Sequence, residues 1–202
     1  MLPRVVAHPD LAAIIAANAV FLSWWGFAAI LVIGRKAAAE TETKRDLRSH
    51  LGFALQCCGY LLCFAFHRPY GSALMKNSRA GDWVLCVFVV ALAAGSDWFC
   101  LAAARQLGKQ WALVARVVEG HELVQQGPYA VVRNPIYTAM LVNLIATMLA
   151  FSMWWGDIVA AVVFLVGTEI RIRSEEKLLR ENFAASFEEY ARRVPALFPR
   201  MF

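Results

Sequence analysis

Two short stretches of this chain put groups of reactive type at spacings that suit chemistry. In the first, Arg133-Asn-Pro-Ile-Tyr137 lines up a cation, an amide, a proline and a phenol just ahead of a long apolar run. Pro135 fits the first turn of a helix, and Asn134 before it fits the N-cap. Free N–H groups at such a helix start favour a carboxylate or phosphate. The alternative is a plain capped helix start with Tyr137 as an interfacial anchor. In the second stretch, Arg171 and Glu175 lie four apart and share a helix face. The guanidinium could hold an anionic acceptor, and the carboxylate could balance a sulfonium or amine, or accept a proton. The alternative is a solvated helix exit with one surface ion pair, worth only about 0–1 kcal/mol. Asp97 and Glu169 add acids inside or at the edge of apolar runs. An intramembrane acid is a functional candidate, unless it sits at the interface or bonds between helices.

These groups need elements to hold them, and the composition says what kind. Sixty per cent of the 202 residues are apolar and only 17% are charged, against nearer half and a quarter in soluble domains. Five runs read as membrane spans: Leu11–Ile33, Leu51–Phe66, Trp83–Ala104, Ile136–Phe151 and Trp154–Ile170. The expected fold is therefore an all-α integral membrane protein with five transmembrane helices. A cytoplasmic connector and a C-terminal amphipathic helix complete a single membrane domain spanning residues 1–202. Residues 1–104 hold three spans; residues 105–202 hold the connector, a helical hairpin and the terminal helix. In the tail, Ile172, Leu179, Phe183, Phe187, Tyr190 and Val194 make one apolar stripe at helical spacing, ended by Pro195. The first loop, the connector and the tail carry 16 of the 20 basic residues. That bias predicts an outside N-terminus and a cytoplasmic C-terminus, and it excludes a nucleic-acid surface, because the cations lie in short blocks between apolar runs. The five cysteines all lie in apolar runs without a CxxC pair, and the four histidines show no ligand spacing, so neither a disulfide framework nor a metal is expected.

The order of motifs goes further. Gln106-Leu-Gly-Lys-Gln-Trp, His121-Glu-Leu-Val, Gly127-Pro-Tyr, Arg133-Asn-Pro-Ile-Tyr, Arg171-x-x-x-Glu175-Glu176, Phe187-Glu-Glu-Tyr and Arg193-Val-Pro follow one another over roughly residues 105 to 198. Together they resemble the isoprenylcysteine carboxyl methyltransferase family, and the related phospholipid N-methyltransferases share part of the pattern. The first three spans match in hydropathy alone. The resemblance implies an integral membrane enzyme that uses S-adenosyl-L-methionine without a Rossmann domain, in keeping with the lack of a GxGxxG motif. It implies that His121, Glu122, Leu123, Val124 and Tyr129 line the cofactor, that Asn134, Pro135, Ile136 and Tyr137 form a second wall, that Glu175 contacts the cofactor near the reacting centre, and that Arg171 orients the acceptor. The family motif usually has histidine where this chain has Asn134; asparagine keeps a donor and an acceptor but loses the titratable ring.

The function so implied is methyl transfer to a lipidic or prenylated acceptor, with a carboxylate as the group that is methylated. The partners would be a lipid-linked or prenylcysteine acceptor and membrane lipids. N-methylation of a phospholipid amine is the alternative chemistry. A non-catalytic membrane binding protein of the same fold is the third reading, for which Asn134 is the argument.

Overall fold

The computed structural model describes residues 9–37, 42–45, 48–75, 78–108, 116–118, 122–151 and 154–199. The described chain is helical apart from one two-stranded ribbon. Its elements are α1 (Leu11–Ala37), β1 (Glu42–Arg45), α2 (Arg48–Ala65), α3 (Arg79–Leu107), β2 (Arg116–Val118), α4 (Pro128–Val131), α5 (Pro135–Phe151) and α6 (Trp154–Arg193).

Local signals set several boundaries. The Asp10 carboxylate accepts from the Ala13 N–H at 2.9 Å and starts α1, and the Ser78 hydroxyl accepts from the Gly81 N–H at 3.0 Å at the start of α3. On α3 the buried residues Cys86, Val89, Ala93, Ser96, Cys100 and Ala103 alternate in steps of three and four. They meet an equally small face on α1, where Ala12, Ala13, Ala16, Ala17 and Val20 are buried. Small residues let helix backbones approach closely where no hydrophobic force operates between helices. The opposite faces carry exposed Trp25, Val84, Val87, Phe88 and Trp98.

The α2–α6 crossing is tighter still. A Cβ on Gly52 would lie 2.5 Å from Arg171 Cγ and 2.6 Å from the Gly167 carbonyl oxygen, and one on Gly59 would lie 2.8 Å from Phe164 Cβ. Only glycine fits at this crossing, and it brings the α2 backbone onto the turn of α6 that carries Arg171.

Two expectations need correction. Among the described residues, two helices are long and apolar enough to cross a membrane, α1 (Leu11–Ile30) and α3 (Arg79–Leu107), where the sequence reading expected five spans. Helix α5 is apolar but has 17 residues. Helix α2, over the expected second span, carries buried Ser49 and Gln56 as well as its glycines, and the first 18 residues of α6 include Asp157, Glu169 and Arg171. The expected fifth span and terminal helix are also one element: α6 runs 40 residues and breaks only at Ala184, at φ 40° and ψ −114°. Helix-forming residues fill the stretch after Ile170, so nothing stops the helix at the end of its apolar half. The terminal stripe is confirmed in part: Ile172, Phe187 and Tyr190 are buried, while Leu179 and Phe183 are half-buried.

Strands β1 and β2 pair antiparallel, Glu42 opposite Val118 and Arg45 opposite Arg116. The first loop and the connector therefore meet at one end of the bundle. Elsewhere the Arg68 guanidinium donates to the carbonyls of Leu149 (2.8 Å) and Ala150 (3.2 Å), satisfying the C-terminal end of α5 with a cation.

Candidate active site

The site is built where the start of α5 meets the middle of α6 and the segment after α6. Gly127, at φ 59°, turns the chain into α4. The backbone N–H groups of Arg133 and Asn134 then donate to the carbonyls of Pro195 (2.8 Å) and Ala196 (3.1 Å). The side chains extend this seam. Asn134 Nδ2 donates to the Ala196 carbonyl at 3.0 Å, and Thr138 Oγ1 donates to the Leu197 carbonyl at 2.7 Å. Asn134, expected as an N-cap and cofactor contact, thus turns its amide to the terminal segment.

Arg133 is the centre of that seam. Its Nε and Nη2 donate to Glu176 Oε1 at 3.0 and 2.8 Å, and Nη1 donates to the carbonyls of Ala191 and Val194. Glu176 Oε2 accepts from Arg180 at 3.1 Å, and the Arg180 guanidinium lies 5.1 Å over the Phe187 ring. The Tyr190 hydroxyl donates to the Tyr129 carbonyl at 2.7 Å, and burial pushes that phenol up to about 12.

The reactive groups lie beside this scaffold. Arg171 and Glu175 approach to 3.9 Å along one face of α6. The Tyr137 hydroxyl donates to Glu175 Oε1. The Arg171 guanidinium lies 4.9 Å from the Tyr137 ring centre and 5.6 Å from that of Phe53, and its Nη1 donates to Gln56 Oε1 at 3.0 Å. The two charges differ in access. The Arg171 side chain is 4% exposed and that of Glu175 is 29% exposed. The surrounding protein raises the Glu175 carboxyl above its usual 4.5, a rise that the Arg171 charge and the Tyr137 hydrogen bond oppose. Burial, and then the charge of Glu175, hold the Tyr129 phenol well above the ordinary tyrosine range, which puts Tyr129 within electrostatic reach of the same carboxylate.

Three of the expected residues therefore converge, Tyr137, Arg171 and Glu175, while Tyr129 is buried in α4, where the Tyr190 hydroxyl bonds its carbonyl. Pro135 is buried at the start of α5, and Ile136 packs the other way, against Phe27, Cys100 and Ala139. Leu123 and Val124 are half-buried and Glu122 is exposed in the extended run before α4; His121 lies outside the described residues. Asp97 accepts from the Ser23 hydroxyl at 2.8 Å, and Ser23 accepts from Asn143 at 2.6 Å. It bonds between α1, α3 and α5, away from the site. Glu169 pairs with Arg173 at 2.6 Å on the exposed face of α6. Sequence reasoning missed the clamp of Arg133 on Glu176 and the contact of Gln56 with Arg171. The signal for Gln56 was present: an amide between Gly52 and Gly59 in an otherwise apolar run.

A groove of about 690 Å³ opens on the neighbouring face of α6, between Leu165, Val166, Ile172 and the terminal residues Pro195, Leu197 and Phe198. Thr168, at its wall, accepts from Gln56 Nε2 at 2.9 Å.

Among known proteins, the chain is 33% identical over 150 residues to a nickel-cobalt-cadmium resistance protein of Alcaligenes xylosoxydans xylosoxydans, covering 66% of this chain and 70% of that one. It is 35% identical over 81 residues to protein-S-isoprenylcysteine O-methyltransferase B of Arabidopsis thaliana, 40% of this chain and 41% of that one. It is 28% identical over 152 residues to methanethiol S-methyltransferase 2 of Bradyrhizobium diazoefficiens, 70% of this chain and 56% of that one. The run from α3 to just past the Ala184 break of α6, residues 84–186, matches the phospholipid methyltransferase family model and encloses Tyr129, Tyr137, Arg171 and Glu175, and the chain belongs to that family.

Proposed function

We propose that this protein is a membrane methyltransferase that uses S-adenosyl-L-methionine and methylates an acceptor with an apolar tail. The observation that carries the reading is the convergence of Glu175, Tyr137 and Arg171, which Gln56 ties to Thr168 on the groove wall. The donor set suits a sulfonium: a carboxylate with an open edge, the phenol of Tyr137, and a guanidinium that balances the carboxylate from the buried side. When bound, the cofactor supplies an electrophilic methyl group whose bonding pair leaves with sulfur as a neutral thioether. Leu123, Val124 and Tyr129 from the connector and Tyr137 and Glu175 from the helices would hold it, with Glu122 at the open edge and His121 completing the run. Asn134 and Pro135 serve by fixing the wall, since the Asn134 amide bonds the Ala196 carbonyl.

Chain groups must then align the acceptor atom and manage its proton. Arg171 is covered by Tyr137 and held by Gln56, and Glu175 is the charge that an incoming group meets. This favours an acceptor that arrives protonated, a thiol or an amine. Glu175 would take the acceptor's proton, and the lone pair so freed would bond the methyl carbon as the sulfur–methyl pair leaves with sulfur. The raised carboxyl of Glu175 suits that task. The second reading is a lipid-linked carboxylate oriented by Arg171, as in a prenylcysteine O-methyltransferase, and the Arabidopsis relative supports it. The apolar groove accommodates the tail in either case.

The test is transfer of labelled methyl from S-adenosyl-L-methionine to three probes by the purified protein in lipid: a long-chain alkanethiol, phosphatidylethanolamine and N-acetyl-S-farnesylcysteine. Label in the thiol or the amine is the expected result. Label released by base as methanol from the farnesylcysteine selects the carboxylate reading. No label in any probe, with no binding of S-adenosylhomocysteine by calorimetry, overturns the enzyme reading and leaves a binding protein of the same fold.

A further inference from the structure

Gln56 lies in α2, before the segment that matches the family, and is fully buried. Its two ends are fixed by chemistry. A guanidinium only donates, so Oε1 must face Arg171 Nη1 at 3.0 Å. The amide nitrogen then faces Thr168 Oγ1 at 2.9 Å, and that hydroxyl must accept. Gln56 therefore ties two positions of α6, one on the groove wall and one beside Glu175. Gly52, one turn earlier, is what allows the approach, since any side chain there would strike Arg171 Cγ.

We propose that Gln56 is a positioning residue for methyl transfer. By holding the Arg171 guanidinium under the Tyr137 ring, it sets how much positive charge Glu175 feels and where Tyr137 places its hydroxyl. This rests on the methyltransferase reading above. The side chain must be an amide. A carboxylate in its place would hold Arg171 equally well in shape but would draw its charge away from Glu175, whose proton affinity would rise. An apolar group of the same length would let the guanidinium tilt, and a misplacement of about 1 Å near reacting groups costs on the order of a hundredfold in rate.

The experiment compares Gln56→Glu and Gln56→Leu with the unaltered protein in lipid, using whichever of the three acceptor probes becomes labelled. Expected are S-adenosylhomocysteine binding within about twofold for both variants, a fall in kcat of about ten- to a hundredfold for Gln56→Leu with little change in KM, and an acidic limb of the pH–rate profile displaced to higher pH for Gln56→Glu. A purely structural role would move neither the limb nor the split between kcat and KM. Transfer within twofold of normal in both variants overturns the proposal, as does loss of transfer and cofactor-product binding in equal measure with an unmoved limb. If the unaltered protein labels no probe and binds no S-adenosylhomocysteine, the methyltransferase reading fails by itself. The hold on Arg171 is then decided by thermal unfolding of Gln56→Leu, Arg171→Leu and the double variant. A double shift in Tm smaller than the sum supports the hold, and additive shifts overturn it.

Discussion

In the proposed reaction Glu175 must be ionised when the acceptor arrives and bind its proton, and its surroundings pull both ways. Burial raises its proton affinity, while Arg171 and the Tyr137 hydroxyl restrain the rise. The acidic limb of the pH–rate profile is therefore expected above the usual carboxylate value of 4.5, with the rate falling as pH drops through that limb. Glu175→Gln should remove the limb and lower transfer by about 10²–10⁴-fold, the usual range for loss of a general base. Stability runs in the opposite sense. A carboxyl raised on folding contributes fully below its unfolded value and loses that contribution as pH rises through the folded one, so Glu175→Gln should protect against unfolding on the alkaline side of that range. Arg133 shows the other use of charge. With side chains only 13% and 9% exposed, Arg133 and Glu176 are a buried pair, and Arg133→Met leaves Glu176 with Arg180 alone. Because Arg180 still pairs with Glu176, the loss is expected below the about 3–5 kcal/mol of a buried charge left alone, read as a lowered Tm in detergent, without the pH dependence expected of Glu175→Gln.

At the scale of elements, helix α6 does the most. It carries Arg171 and Glu175, one wall of the groove, and the break at Ala184, beyond which Phe187 and Tyr190 are buried and Tyr190 bonds the Tyr129 carbonyl. A non-glycine residue at φ 40° and ψ −114° is strained by about 1–3 kcal/mol. Ala184→Gly should therefore stabilise the protein by on the order of 1 kcal/mol, after allowing for glycine's greater freedom in the unfolded chain; a differential scan of the two proteins reads it. The break also marks where sequence reasoning stopped. The stripe from Ile172 to Val194 was legible because period 3.6 survives a bend, and the pair Arg171 and Glu175 was legible because i,i+4 neighbours always share a face. The bend at an alanine has no local signal. Nor has the seam of Arg133, Asn134 and Thr138 with residues 191–197, because partners some sixty positions apart leave no periodicity. Asn134 illustrates the difference: its type fitted a helix cap, and the packing of the terminal segment claimed its amide instead.

For the whole molecule, the pairing of β1 with β2 joins the first loop to the connector at one end of the bundle, in line with the charge bias that groups these segments. We propose that the helices cross the membrane with the N-terminus outside and the connector and C-terminus in the cytoplasm. Single cysteines introduced at Glu122 and at Tyr70, in a chain cleared of its own five, check this: an impermeant thiol reagent applied from outside should label the second and spare the first. The reverse pattern would invert the orientation. The membrane reading itself rests on α1 and α3 and on the exposed apolar faces they present.

The seam between Arg133 and residues 191–197 also bears on the order in which the protein can be made. A ribosome releases Arg133 and Asn134 long before the carbonyls of Ala191, Val194 and Ala196 that they bind. Until those residues emerge, Arg133 has Glu176 alone and the Asn134 amide lacks its carbonyl partner. The reaction centre is thus completed by nearly the last part of the described chain to be synthesised, so a nascent chain would gain its helices first and its competence at the end.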